Sequence, residues 1–549
     1  MTIRDFFDNA TTTYAKRTAL RFFEGGVIRE IPYSSLAREV LSMAGAIRAR
    51  GILPGRDKVA LILENCPKWP VIYLALSCMG VAVVPIDPKM RPREMAYILK
   101  DSAAAMAFAG ARQAGAIAEM KPELPGLSLC VGVGEGEAPP PVGGLSFSGL
   151  DEFSSGRGAT TGFDGLPKPD EDTVASLIYT SGTTGEPKGV VLTHGNFAAD
   201  TLAAVVPVNF CKEDNFLAVL PFFHTYSFTG NILLPLCQGG CISFIRSIRT
   251  VAEDMKALRP TILMAVPLLA EKIYSKVEKG IRANPIARLL VAIGLGGIIG
   301  RKVVKSLGGA LRFIAIGGAP ADPRVIRGLK GIGISTLEGY GLTECSPLVC
   351  YPTPDDFRIG TVGKVLPCMD YKIVDRDETG AGELCVRGPN VMKGYYNNPG
   401  ATAEVFDGEG YLHTGDLVRQ DSEGNITVCG RRKAMIVNRE GKNIYPEEIE
   451  QVVGRLPIVA ECLALGYRTS GETGERVGLI VQADDEARAA GGSTAEERDR
   501  ALVAEVERAC RQGLSDYKMP RKIVVRHEPF VLTSTMKVRR AAYAGVLDE

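Results

Sequence analysis

Apolar positions in the first third of the chain come as short unbroken runs separated by a longer periodic stretch. Val59 to Leu63 reads Val-Ala-Leu-Ile-Leu, Trp69 to Met79 has helical length, and Val81 to Ile86 is a second unbroken run. Continuous runs of this length predict parallel strands covered on both faces, so strand, helix and strand form a βαβ unit. Ala103 to Ala109 and Leu127 to Val133 continue the pattern, and this third reads as doubly wound α/β. Gly132 to Asp172 is rich in Gly, Pro and Ser and reads as surface excursions. Val174 to Ile178 and Val190 to Leu192 are the next strands, and Asn196 is placed to cap a helix from Phe197 to Val205. Ala218 to Leu220, Thr261 to Val266 and Leu311 to Ile316 follow as strands that deliver polar or Gly-rich segments at one edge, where open α/β sheets bind ligands.

From about Val362 the pattern changes to short strands and close turns, which predicts a mostly β subdomain. Beyond Gly430 comes an α+β tail. Tyr445-Pro446-Glu447-Glu448 opens one helix, with Ile449, Val452, Val453 and Leu456 at helical spacing. The capping box Thr494-x-x-Glu497 opens another, with Leu502, Val506 and Ala509 on one face. The most apolar run, Leu289 to Gly300, is too short to span a bilayer, which takes about 20 residues, and is expected to be a buried or loop segment.

Between two of the predicted strands lies Tyr179-Thr180-Ser181-Gly182-Thr183-Thr184-Gly185-Glu186-Pro187-Lys188-Gly189-Val190. The glycines let backbone N–H groups approach an anion, the hydroxyls add donors, and Lys188 adds a point charge. The common phosphate loop ends in Gly-Lys-Ser/Thr and opens into a helix. Here Lys188-Gly189-Val190 leads into a strand, so the phosphate is held in a different way. Gly132-x-Gly134 and Gly294-x-Gly296 lack the spacing of dinucleotide fingerprints.

Composition narrows the partners. At 549 residues several packed units are expected. A net charge of +1 gives no reason to expect nucleic acid, which leaves small molecules. The thirteen cysteines have no Cys-x-x-Cys pair, which argues against a disulfide framework or a zinc site. Asp5 and Asp8 in the first ten residues argue against a secretory signal, so the expected location is cytoplasmic, or peripheral at the inner membrane surface.

The Tyr179 to Val190 segment resembles the signature loop of the adenylate-forming superfamily of acyl-CoA synthetases, luciferases and peptide-synthetase adenylation domains. Further segments match it in order: Pro221 to Tyr226, Gly317-Gly318-Ala319-Pro320, Glu338-Gly339-Tyr340-Gly341-Leu342-Thr343-Glu344, Tyr411 to Asp416, Arg431 to Lys433, and Leu532 to Arg540. The resemblance implies a large N-terminal domain, 1–430, of doubly wound sheets plus a β subdomain. A hinge at 431–433 would lead to a smaller, moving α+β domain, 434–549. Thr180, Ser181, Gly182, Thr183, Thr184, Gly185 and Lys188 would hold the β and γ phosphates of ATP. Thr343 would donate to phosphate and Glu344 would bind Mg²⁺. Tyr340 would stack on adenine, with Gly317, Gly318, Ala319, Glu338, Gly339 and Gly341 around it. Asp416 would accept from the ribose hydroxyls, with Arg431 beside it, and Lys433 would be the hinge. Gly441, Lys442 and Asn443 would face coenzyme A. Lys537 holds the catalytic lysine position. Met536 and Ala434 depart from the usual glycine and acid at their positions, which bears on loop flexibility and hinge energetics.

Three of the four histidines, His194, His224 and His413, fall in candidate segments, and His224 is read as a catalytic candidate. The implied reaction is a two-step ligation through acyl-AMP to acyl-CoA. The spacing from Lys433 to Gly441 resembles the fatty acyl branch, most like a bacterial AMP-forming synthetase acting on a medium- or long-chain acid. Phe223, Tyr226, Phe228 and Leu233 would be pocket wall or core. Transfer to acyl carrier protein, a non-catalytic nucleotide-binding relative and a luciferase-type oxygenase are the alternatives, with at most peripheral membrane contact.

Overall fold

The computed structural model describes residues 1–134, 143–155, 162–180, 186–440, 442–469, 474–484, 494–531 and 538–548. By its contacts the chain divides into one unit of Met1–Tyr371 with Val386–Leu412 and a second of Lys372–Cys385 with His413–Glu549. The expected boundary at 430/431 therefore falls inside the second unit. The reason is packing: Leu417 and Cys429, from the strands Leu412–Gln420 and Ile426–Arg431, are buried with Ala381 and Tyr445.

The first unit is built on two seven-stranded sheets. One runs in the order Ser146–Gly149, Leu129–Val133, Met106–Gly110, Lys58–Ile62, Ala82–Pro85, Val174–Thr180, Lys188–Thr193, parallel except for its last pair. The other runs Ser335–Glu338, Phe313–Ile316, Ile262–Ala265, Asn215–Ala218, Cys241–Phe244, Thr18–Glu24, Val27–Pro32, again parallel except for its last pair. The expected α/β doubly wound class is what the chain forms, with the predicted strands shifted by a few residues.

Helix Lys68–Cys78 has every residue after Lys68 buried, as a helix apolar on all sides must. Trp69 stacks on Tyr73 with ring centroids 5.3 Å apart. Phe222 and Phe228, from the segment after the Asn215–Ala218 strand, close on these rings. The Tyr73 hydroxyl lies 2.7 Å from Ser176 Oγ on the first sheet. One helix thus links elements of both sheets.

Several expectations are corrected. The stretch 132–172 is not all excursion: Ser146–Gly149 forms the edge strand of the first sheet and Phe153 is fully buried. The helix after the signature loop is capped by Thr193 rather than Asn196, which takes the third helical position in a capping box. His194 opens that helix with no exposure, and burial brings it down to about 4, a neutral core histidine. Leu289 to Gly300 is loop only over 293–296; the rest belongs to the surface helices Pro285–Ala292 and Gly297–Ser306, with Gly296 and Gly300 buried. Of the residues expected as pocket wall or core, Phe228 and Leu233 are fully buried.

Four strands that fall mostly in the second unit, in the order Asp370–Val374, Gly382–Arg387, Leu412–Gln420, Ile426–Arg431, make up most of the predicted β region. A further sheet, Val459–Tyr467, Arg476–Ala483 and Lys522–Arg526, packs against helices Pro446–Val453 and Ala495–Gly513. The Thr494/Glu497 capping box forms as expected, but Cys510 rather than Ala509 joins Leu502 and Val506 in the core. Among the described residues no helix is long and apolar enough to cross a membrane.

Candidate active site

In the first unit, Thr180 and Lys188 face each other across the antiparallel pair, so residues 181–187 make the whole connection between the two strands. Ser181, Gly182, Thr183, Thr184 and Gly185, like Gly441 and Lys537, lie outside the described residues. At the base of this connection Lys188 Nζ sits 5.1 Å from the centre of the Tyr395 ring, a cation–π distance. The Tyr395 hydroxyl in turn donates to Glu344 Oε1 at 3.0 Å. Sequence reasoning missed Tyr395, although the run Gly394-Tyr395-Tyr396-Asn397-Asn398-Pro399 carries a turn signal. Hydrogen bonds from Val191 N to Gly394 O and from Tyr396 N to Gly189 O zip this turn to the strand.

Thr343 and Glu344 stand on a short 3₁₀ turn whose support is buried. Asn390 Nδ2 donates to Leu348 O at 2.8 Å and Cys345 O at 3.1 Å, and Ser346 Oγ donates to Asn390 O at 2.9 Å. Asp200 Oδ1 accepts from Leu348 N at 2.9 Å and from Asn390 at 3.2 Å. Complete burial pushes the Asp200 carboxyl well above its ordinary range, against the two hydrogen bonds it accepts. Glu344 itself is half-buried, and its Oε2 has no hydrogen-bond partner among the described residues. A half-exposed carboxylate held by one oxygen and open at the other fits a hard cation such as Mg²⁺.

Gly317 and Gly339 follow the neighbouring parallel strands Phe313–Ile316 and Ser335–Glu338. A Cβ on Gly317 would come within 3.0 Å of the Tyr226 ring, and Gly318 has φ +85°, so this turn needs glycine at both positions. The Tyr226 hydroxyl donates to Ala315 O at 3.0 Å, which sets the ring beneath the turn. Glu338 is buried and its Oε1 accepts from Ala321 N at 2.9 Å, tying down the far end of the Gly317 to Pro320 segment. Burial raises its carboxyl to about 7 despite that hydrogen bond. Tyr340 is half-buried and Gly341 exposed on the next strand. His224 is half-buried at the N-cap of the helix Thr225–Phe228, beside the Phe223 ring. Asn65 holds that segment from the other sheet, accepting from Phe222 N at 2.9 Å and donating to Leu220 O at 2.7 Å.

In the second unit Asp416 and Arg431 are paired across two strands. Arg431 Nε lies 2.8 Å from Asp416 Oδ1, and the Asp416 side chain is almost fully buried. The preceding turn is held by Glu383, which accepts from Gly415 N at 3.1 Å, lies 3.1 Å from His413 Nδ1 and pairs with Arg432. His413 therefore positions this turn together with Glu383. Lys433 is exposed on the 3₁₀ turn Arg432–Ala434. Lys442 Nζ lies 4.9 Å from the Tyr517 ring centre, and Asn443 Nδ2 lies 3.4 Å from Asp377 Oδ2. Hydrogen bonds from Tyr445 and Thr379 outweigh burial and hold Asp377 down at about 2.

The described residues on either side of Lys537 are held by hydrogen bonds. Arg539 N donates to Val531 O at 2.8 Å and Val531 N donates to the Tyr543 hydroxyl at 2.9 Å. Arg540 pairs with Glu450 at 2.5 Å and donates to Ala464 O at 2.9 Å. Burial raises Glu450 to about 7 in spite of that arginine.

A family model described as AMP-binding enzyme matches residues 6–396, and one described as AMP-binding enzyme C-terminal domain matches 448–537. The chain belongs to the AMP-binding enzymes. It is 30% identical to long-chain-fatty-acid–CoA ligase 6 of Homo sapiens, over 93% of this chain and 81% of that one. It is 30% identical to the peroxisomal long chain acyl-CoA synthetase 7 of Arabidopsis thaliana, over 85% and 71%. With long-chain-fatty-acid–CoA ligase FadD15 of Mycobacterium bovis it shares 28% over 94% and 91%. In structure it resembles the anthranilate CoA ligase AuaEII in complex with anthranoyl-AMP, at TM-score 0.80 and 21% identity over 100% of this chain and 97% of that one. ATP-bound MatB from Rhodopseudomonas palustris gives TM-score 0.79 and 24% identity over 100% and 99%.

Proposed function

We propose that the protein is an AMP-forming ligase that joins a long-chain fatty acid to coenzyme A through an acyl-adenylate. The observation that carries this reading is the match, through both family regions, to relatives that are long-chain acyl-CoA ligases over most of each chain. Coenzyme A rather than acyl carrier protein is the acceptor in this reading, because the relatives are named for it.

In the proposed mechanism Lys188 and the hydroxyls from Thr180 to Thr184 grip the leaving phosphates, and Thr343 adds a donor. Mg²⁺, when bound, neutralises phosphate charge, and Glu344 would hold it. Tyr395 touches both Lys188 and Glu344, so the two charges keep a fixed separation. Asp416 accepts from the ribose, and its ion pair with Arg431 orients it. Gly317 to Ala319, Glu338 to Gly341 and Tyr340 shape the base site, and His224 belongs to the acid-facing side. Lys537 stabilises charge on the attacked phosphate, and rotation about Lys433 then brings Gly441, Lys442 and Asn443 to the thiol step.

Release of AMP from a panel of palmitate, octanoate, acetate and benzoate, with ATP, Mg²⁺ and coenzyme A, is expected to give the highest kcat/KM with palmitate. A higher value with acetate or benzoate would reject the substrate class, and AMP release only with acyl carrier protein would reject the acceptor.

Arg540 is proposed as a positioning residue for Lys537. Arg540→Ala is expected to lower kcat for adenylation by about tenfold to a hundredfold, the usual consequence of a small misplacement near reacting atoms. The KM for ATP should hold, and Arg540→Lys should recover part of the rate. Single-turnover formation of acyl-AMP measures both.

A further inference from the structure

Between the strands Ile262–Ala265 and Phe313–Ile316 the chain makes three helices, Pro267–Ala283, Pro285–Ala292 and Gly297–Ser306. The third is seated on the domain: a Cβ on Gly300 would fall 1.7 Å from Ile332 O, and Val303, Val304 and Leu307 pack against the sheet core. The second has no buried residue at all. Ile286, Leu289, Leu290 and Ile293 nevertheless recur at the i, i+3, i+4, i+7 spacing of one helical face. Ile286 is 70% exposed, Leu289 59% and Ile293 58%, and Val291 and Leu295 beside them are also exposed. A contiguous apolar ridge of this kind on a soluble surface marks an interaction site.

Along the segment that carries the ridge the charge has one sign. From Gly280 to Ala321 there is no Asp or Glu, while Arg282, Arg288, Arg301, Lys302 and Lys305 all lie exposed on the segment. Arg282 is paired with Glu278. Arg288, Arg301, Lys302 and Lys305 have no ion-pair partner among the described residues. In a chain whose net charge is +1, such a local excess is a directed feature.

We propose that this ridge docks on the surface of an anionic phospholipid bilayer. Ile286, Leu289 and Ile293 would enter the boundary between headgroups and acyl chains, and Arg288, Arg301, Lys302 and Lys305 would meet the lipid phosphates. The run is too short to span, so the contact is peripheral. A second copy fits poorly, since a self-complementary contact would set like charges against one another. The proposal is independent of which acid the enzyme activates.

Co-sedimentation of the full chain with phosphatidylcholine vesicles, with and without phosphatidylglycerol, tests it. Binding is expected to the phosphatidylglycerol vesicles and to weaken in high salt. Leu289→Ser with Ile293→Ser should weaken it about tenfold or more, and Arg301→Ser, Lys302→Ser and Lys305→Ser together should abolish the preference for anionic lipid. Acid-dependent ATP–pyrophosphate exchange with soluble octanoate should be unchanged in both variants, which shows that they are folded. Equal binding to both vesicle types, no vesicle binding, or variants that bind like the wild type would overturn the proposal. So would sedimentation velocity showing a dimer that the Leu289→Ser/Ile293→Ser variant loses.

Discussion

Lys537→Ala is expected to slow acyl-adenylate formation by about 10²- to 10³-fold, the usual effect of losing one preorganised charge donor at a developing anion. Acid-dependent exchange of pyrophosphate into ATP measures that step. Thioester formation from a supplied acyl-adenylate should change by less than about twofold, because in the proposed cycle the lysine has left the site by then. The two rates separate the roles: an unchanged exchange rate would remove Lys537 from the chemistry, and an equal fall in both steps would make its role structural. Lys537→Arg keeps the charge but spreads it over a planar fork, so only part of the rate should return.

Glu338→Gln is expected to change how stability depends on pH. Burial raises the Glu338 carboxyl from 4.5 to about 7 in the folded protein. The folded state therefore keeps a proton that the unfolded chain releases, and the associated stability is fully present below about pH 4.5 and is lost as the pH rises through about 7. The difference is worth about 3 kcal/mol. The amide cannot ionise, and its oxygen can still accept from Ala321 N, so the variant should match the wild type near pH 4.5 and exceed it by about that amount above pH 7. Urea unfolding of both proteins across this range measures the difference. Parallel curves would mean that the carboxylate is solvated in the folded state.

What could be read from the chain was local. Unbroken apolar runs marked the parallel strands because covered strands need apolar residues on both faces, and the Thr494/Glu497 box marked a helix start because both its bonds close within one turn. The hairpin Thr18–Glu24 and Val27–Pro32 was not legible: its outer strand is largely exposed, and what fixes the pair is Leu20 opposite Ile242, far along the chain. Asn196 was misread as a cap because Thr193, three residues earlier, competes for the same role and has the N-cap backbone. In the site, motif order pointed to Lys188, Glu344, Asp416 and Arg431, and the described geometry pairs the last two directly. The supporting residues Tyr395, Asp200, Asn390 and Glu383 were silent, since their meaning lies in contacts across the fold rather than in residue type or spacing.

The place of that first hairpin has a consequence for synthesis. Thr18–Glu24 leaves the ribosome early, yet its parallel partner Cys241–Phe244 is made some 220 residues later. At about 5–20 residues per second, the nascent chain carries Leu20, Phe22 and Phe23 without their sheet for roughly ten to forty seconds. The helix Lys68–Cys78, apolar on every side, waits with them for Phe222 and Phe228. The strands of the first sheet follow one another between Lys58 and Thr193, but the second sheet cannot close until its late strands are made. Slowing elongation beyond residue 338, after the last strand of that sheet, should leave the yield of native protein unchanged, whereas slowing it between 80 and 215 should lengthen the exposure and favour capture by chaperones.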